Sequence, residues 1–123
     1  MKARRVLIVD DEEAFGRFVG DVASEAGLQA EVTTSAAAFI SAFDRARPDV
    51  VVLDLVMPET EGIELIRWLI DRKISVRLIV VTGFSPEYAR LAAMMARITD
   101  SLPVTTLSKP VPLATLRKAL LAE

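Results

Sequence analysis

The chain has 123 residues, enough for one compact domain with a hydrophobic core, and hydrophobic residues make up 52% of it. Its net charge of −2 and its scattered basic residues argue against a nucleic-acid-binding face. Cysteine and histidine are absent, which excludes disulfides, zinc sites of the usual kind and catalysis by Ser-His or Cys-His pairs.

Five short β-branched runs alternate with stretches of helical periodicity. The runs are residues 4–9, 30–33, 49–55, 76–82 and 104–107. The first, third and fourth are continuously apolar, which is typical of strands buried on both faces. Five helices are predicted, with start or stop signals at Gly27, Ser35, Gly62, Ser85-Pro86 and Pro112. Five βα units in series predict an α/β fold with a parallel, doubly wound sheet.

The longest apolar run, residues 91–96, is far shorter than the ~18 residues of a membrane helix. The basic start of the chain is followed by too few apolar residues for a signal peptide. We therefore expect a single cytoplasmic domain over residues 1–123 that binds neither a membrane nor nucleic acid directly.

Polar residues follow the predicted strands. They are Asp10-Asp11 after the first, Asp54 in the third, Thr82-Gly83 after the fourth and Ser108-Lys109-Pro110 after the fifth. In a doubly wound sheet the carboxyl ends of the strands share one edge, where ligands bind. The sequence thus predicts three carboxylates, a hydroxyl, a glycine and a lysine at one edge.

The segment VLIVDDEE, residues 6–13, has two interpretations. Acids at a helix start are stabilised by the helix dipole, but they also suit a cation site. Asp54 favours the second interpretation, because a charge inside a buried strand needs a partner. Two unit charges ~4 Å apart repel by ~4 kcal/mol at an effective dielectric of ~20, so either a pKa rises or a cation is bound.

The ligand types favour magnesium and phosphoryl chemistry. A few oxygen ligands suit Mg²⁺, which retains waters and accepts a phosphate oxygen. Lys109 supplies a compact positive charge for the same phosphate, Thr82 a hydroxyl donor and Gly83 room for close approach. Asp54 is then a candidate nucleophile that becomes an aspartyl-phosphate.

Four segments, VLIVDDEE, VVLDLVMPETEG, VVTG and LSKP, resemble in order the signature segments of response-regulator receiver domains. The resemblance spans essentially the whole chain. It implies the flavodoxin-like, five-stranded sheet of order 2-1-3-4-5 with five helices. It also implies a phosphoacceptor domain of a two-component system that assists its own phosphorylation and dephosphorylation, rather than an enzyme.

The resemblance further assigns residue roles. Asp54 is the phosphoacceptor, Asp11 a direct magnesium ligand, Asp10 a ligand through water, and Val56 a ligand through its backbone carbonyl. The remaining positions contact the phosphoryl group, carry the switch or form a cis peptide bond. They are Thr82 as the switch hydroxyl, Gly83, Lys109 at the phosphoryl group, and Pro110 after a cis bond.

The chain departs from the receiver pattern in three places. Thr106 occupies the switch position where receivers usually have an aromatic residue. The segment between Thr82 and Lys109 is several residues longer than is common. Val56 and Phe84, which flank the expected phosphoryl group, are both apolar, and Phe84 is expected to screen that group from water.

The implied partners are a sensor histidine kinase or phosphotransfer protein as donor, and a downstream protein or fused effector domain as target. A surface of the predicted fourth helix, fifth strand and fifth helix would carry the output, and would also serve a homodimer. Two alternatives stay open: an unphosphorylated pseudo-receiver that acts as a binding module, and an aspartate-nucleophile phosphatase of the haloacid dehalogenase type.

Overall fold

The computed structural model describes residues 4–57, 61–83, 95, 97, 100 and 102–122. Its strands are β1 (Arg5–Val9), β2 (Gln29–Thr33), β3 (Val50–Asp54), β4 (Arg77–Thr82) and β5 (Val104–Ser108). Its helices include α1 (Glu13–Glu25), α2 (Ala36–Ala46), α3 (Glu61–Asp71) and α4 (Leu113–Leu121). All neighbouring strands are parallel, in the order β2-β1-β3-β4-β5, so the predicted sheet is confirmed.

Helix α4 is the fifth helix of the sequence prediction. The predicted fourth helix opens at Ser85-Pro86, and its start lies outside the described residues, as does Phe84; further along, Met95 is helical and buried. Within the described ranges, no helix combines the length and hydrophobicity needed to cross a bilayer.

The sheet is covered on both faces because alternate residues of its central strands point to opposite sides. One face packs against α2 and α3 through Leu7, Val9, Val51, Leu53, Leu78 and Val80. The other packs against α1 and α4 through Val6, Ile8, Val50, Val52, Ile79 and Val81. The continuous apolar runs are thus explained by burial on both sides.

Helix α2 is capped from two directions. The Ser35 hydroxyl accepts a hydrogen bond from the Ala38 N–H at 3.1 Å, so the predicted cap is confirmed. The Glu61 carboxylate, in the first turn of α3, accepts from the Ala36 N–H at 2.9 Å. An acid at a helix N-terminus also interacts favourably with the helix dipole. Glu61 therefore joins the starts of α2 and α3.

An aromatic cluster holds α2 against α3. The ring of Trp68 lies edge-on to Phe39 and Phe43, with centroids 6.2 and 5.2 Å away. The Arg72 guanidinium stacks 4.7 Å from the centroid of the Trp68 ring. Ile40, which shares the helical pattern of these phenylalanines, is instead 40% exposed, because a one-residue step turns it away from the buried face formed by Phe39, Ala42 and Phe43.

Glycine at position 62 lets α3 start directly beside the end of β3. A Cβ on Gly62 would lie 2.4 Å from the Leu55 carbonyl oxygen and 2.6 Å from that of Asp54. Both contacts are with backbone, which cannot rotate away as a side chain can. The close approach thus fixes where the chain leaves Asp54.

We expect Gly62→Ala to destabilise the protein by about 1 to 3 kcal/mol, because the helix must move off the backbone of β3. Without this clash, alanine would stabilise a helix by up to ~1 kcal/mol, so the sign of the change is diagnostic. Urea unfolding measures it, with Arg67→Ala on the exposed face of α3 as control. A stabilised Gly62→Ala variant would contradict the close contact.

Candidate functional site

Three carboxylates meet at the carboxyl edge of the sheet. Asp10 directly follows β1, Asp54 is the last residue of β3, and these strands are neighbours. Asp11 is the next residue after Asp10, and one carboxylate oxygen from each of the three acids lies within 4.8 Å of the others. Asp10 and Asp54 are only 2% and 4% exposed, whereas Asp11 is exposed.

Backbone N–H groups fix the two buried carboxylates. Asp10 Oδ1 accepts from the Glu12 N–H at 2.8 Å, and Asp54 Oδ1 accepts from the Val56 N–H at 3.0 Å. Each acid is held by the residue two positions ahead, an arrangement typical of Asp at a turn. The other oxygen of each carboxylate, Oδ2, remains free to contact a shared cation.

Lys109 contacts the Oδ2 atoms of both Asp10 and Asp54. Its backbone N–H donates to the Thr82 carbonyl at 2.8 Å, which continues the pairing of β5 with β4, and the peptide bond from Lys109 to Pro110 is cis. Its ammonium nitrogen lies 3.0 Å from Asp10 Oδ2 and 3.5 Å from Asp54 Oδ2. The side chain is 16% exposed, so Lys109 partly compensates two buried acids.

Burial and charge shift the ionisation of this group. Burial, followed by repulsion from Asp10, raises the pKa of Asp54 from 3.8 to about 7, although Lys109 and the Val56 N–H oppose the rise. Burial alone would lower the pKa of Lys109, but its contacts with Glu12, Asp10 and Asp54 outweigh burial and raise it. These shifts favour the charged form of Lys109 and the protonated form of Asp54 relative to an ordinary carboxyl.

The other predicted site residues differ in exposure. Thr82 is 2% exposed at the end of β4, and among the described residues its hydroxyl has no hydrogen-bond partner. Gly83 is half-buried, whereas Val56 is 43% exposed. Thr106 is exposed on β5. Asp10 Oδ2 likewise accepts no hydrogen bond from the residues that the structure describes, although it forms an ion pair with Lys109.

Two residues at this edge were missed by the sequence analysis. The Glu12 carboxylate accepts a short hydrogen bond from the Lys109 ammonium, and the centroid of the Phe15 ring lies 4.5 Å from the same nitrogen. Glu12 belongs to the acidic segment that suits either a helix start or a cation site, and Phe15 carries no local sign of a role at this edge. The run of four acids was the available signal, since it placed Glu12 at the same edge as Asp10 and Asp11.

The donor set fits a hard divalent cation. Asp10, Asp11 and Asp54 supply only oxygen ligands, and two of them are buried against each other at a net cost in repulsion. Such sites bind Mg²⁺ through one or two carboxylates and leave positions for water and a phosphate oxygen. This acidic pocket could therefore hold a metal ion.

The sequence matches a family model over residues 6–121, that of the response regulator receiver domain. The photosynthetic apparatus regulatory protein RegA of Rhodobacter capsulatus is 29% identical over 98% of this chain and 62% of its own length. The transcriptional regulatory protein FixJ of Rhizobium meliloti is 37% identical over 77% of this chain and 47% of its own length. The chain thus spans less than two thirds of these relatives.

Solved structures agree with this match. A response regulator from Colwellia psychrerythraea superimposes with a TM-score of 0.77 at 26% identity, covering 97% of this chain and 94% of its own. The fold, the order of the strands and the matched span are the same as those that the four sequence segments implied. The chain belongs to the response regulator receiver domain family of two-component systems.

Proposed function

We propose that this receiver domain accepts a phosphoryl group on Asp54. The observation that carries the proposal is the placement of this buried carboxylate between a cation, Lys109, and two further acids suited to a metal. An Asp54 oxygen attacks phosphorus while the bond from phosphorus to the donor breaks. The electron pair of that bond leaves with the donor group, which is imidazole for a phosphohistidine and acetate for acetyl phosphate.

Asp10, Asp11, Asp54 and the Val56 carbonyl would hold Mg²⁺, with Asp10 acting through water. When bound, the ion offsets the charge that develops on the transferred group and favours the ionised form of Asp54. This second effect matters here, because a carboxyl with a pKa of about 7 is a poor nucleophile while it is protonated.

The remaining residues act on the phosphoryl group after transfer. Lys109 would donate to its oxygens, Thr82 would supply the hydroxyl that responds to it, and Gly83 would leave space for it. The buried hydroxyl of Thr82, which has no hydrogen-bond partner in the described part of the chain, supports this role, because a phosphoryl oxygen would satisfy it. With Thr106 at the usual aromatic position, the response cannot involve rotation of an aromatic ring there.

The proposed donor is a sensor histidine kinase or a phosphotransfer protein in the cytoplasm. The proposed target is a downstream protein or an effector domain on the same chain, reached through the predicted fourth helix, β5 and α4, a surface that also suits a homodimer. The relatives support this role, since both are named as regulatory proteins and both exceed the span matched here. We assign residues 1–123 to one receiver domain.

The test is incubation with acetyl phosphate, with and without magnesium, followed by intact-mass measurement. We expect the wild type to gain one phosphoryl group only with magnesium, and Asp54→Asn to gain none, because the amide is not a nucleophile. Asp21→Asn, on the exposed face of α1, is the matched control and should behave as the wild type. No gain would favour a pseudo-receiver, and continuous hydrolysis of an added phosphate ester would favour a phosphatase.

A further inference from the structure

The Lys109 ammonium has close contacts on several sides: it donates hydrogen bonds to Glu12 and Asp54 and forms an ion pair with Asp10. An ammonium has three protons to donate. Its nitrogen lies within ion-pair distance of carboxylate oxygens of Asp10, Glu12 and Asp54, and the centroid of the Phe15 ring lies 4.5 Å away as a fourth contact. A phosphoryl oxygen would therefore compete with these groups for the Lys109 ammonium.

The three acids differ sharply in how readily they can leave. Asp10 and Asp54 are 2% and 4% exposed, and each is tied to a backbone N–H. The side chain of Glu12 is 65% exposed. An exposed carboxylate regains water when its ion pair breaks, whereas a buried one does not. Glu12 is the group with the lowest cost of departure.

Phe15 limits how far the Lys109 ammonium can move. It lies one turn beyond Glu12, close to the start of α1, and its ring face attracts the ammonium through a cation–π contact. Glu12 and Phe15 thus hold the ammonium from the solvent side and from α1. A small rotation of the Lys109 side chain away from Glu12 would leave its ammonium near the Phe15 ring and at the edge where Asp54 lies.

We propose that Glu12 is the displaceable counterion of Lys109, a positioning residue that competes with a phosphoryl group for the Lys109 ammonium. This inference rests on the proposed phosphorylation of Asp54. Lys109 keeps its proton throughout: it exchanges one hydrogen bond from a Glu12 oxygen to a phosphoryl oxygen, and Glu12 takes up water. Glu12 therefore competes with the product and slows its formation.

The test measures the rate of phosphorylation by acetyl phosphate at saturating magnesium, using intact mass. We expect Glu12→Gln to react about two- to fivefold faster than the wild type, the range for loss of an ion pair with one largely exposed partner. The N–H of residue 12 that holds Asp10 is retained in this variant. Glu13→Gln is the matched control, because Glu13 is exposed, adjacent and outside the contacts of Lys109.

Glu12→Asp separates contact from charge. It keeps the negative charge but shortens the side chain by one methylene, so we expect it to react faster than the wild type, in the direction of Glu12→Gln. If Glu12→Asp matches the wild type while Glu12→Gln is fast, simple repulsion of the anionic donor is the cause and the inference is wrong. It is also wrong if Glu12→Gln is slower, or no different from Glu13→Gln. A wild type that takes up no phosphoryl group would instead overturn the proposed function.

Discussion

Asp54→Asn is expected to stabilise the metal-free protein at pH 8, by about 1 to 3 kcal/mol, although it replaces a buried residue. The reason is the pKa of Asp54, which burial and the neighbouring charge of Asp10 raise from 3.8 to about 7. At ~1.36 kcal/mol per unit, ionising this carboxyl costs the folded state up to about 4 kcal/mol. Asparagine avoids that cost and can still accept the Val56 N–H.

The pH dependence has a defined sign. Between about pH 4 and pH 7 the folded state holds a proton on Asp54 that the unfolded state has released, so the free energy of unfolding contributed by this group falls as pH rises. The advantage of Asp54→Asn should therefore be largest above pH 7 and disappear by about pH 5.

Urea unfolding in the presence of a chelator, at intervals from pH 5 to pH 8.5, measures this difference. Asp21→Asn is the control for loss of one negative charge, and its effect should not vary in this way. Magnesium should reverse the order at pH 8, because it stabilises only a protein that can bind it. A pH-independent difference between Asp54→Asn and the wild type would contradict the raised pKa.

Lys109→Gln should have the opposite effect at the same site, destabilising the metal-free protein by about 2 to 4 kcal/mol at pH 8. It removes the cation that lies 3.0 Å from Asp10 and 3.5 Å from Asp54, and leaves two buried acids uncompensated. The loss should be smaller at pH 5, where protonation of Asp54 removes one of the two charges. The same unfolding measurements test this.

Lys118→Gln, on the exposed surface of α4, is the matched control and should change stability by less than about 0.5 kcal/mol. The double variant with Asp54→Asn gives a further check. Because the two side chains interact, the double variant should be more stable than the sum of the single changes predicts. Equal effects of Lys109→Gln and Lys118→Gln would mean that the ion pairs contribute no net stability.

Much of the fold was predictable because its signals are local. A strand buried on both faces must be apolar at every position, so β1, β3 and β4 appear as unbroken runs, and their observed ends fall within one residue of those predicted. Once the strands are parallel, residues that end them must share an edge. The meeting of Asp10, Asp54 and Lys109 follows from topology alone.

What could not be predicted depends on contacts between side chains that are distant in sequence. Glu12 and Lys109 are 97 positions apart, and neither carries a local sign of the other. The requirement for glycine at position 62 likewise depends on a contact with the backbone at the end of β3. The ionisation of Asp54 depends on how completely its side chain is buried. The pattern VVVLDL predicts that Asp54 is buried, but it does not predict the exposed fraction of the side chain.

The aromatic cluster between α2 and α3 has a practical consequence. Trp68 is the only tryptophan of the chain, and it is surrounded by Phe39, Phe43 and the Arg72 guanidinium. Indole emission depends on the polarity and proximity of its surroundings, and unfolding removes all three neighbours at once. The sequence therefore carries its own fluorophore, which none of the proposed substitutions replaces, and the denaturation curves of every variant can be recorded without a label.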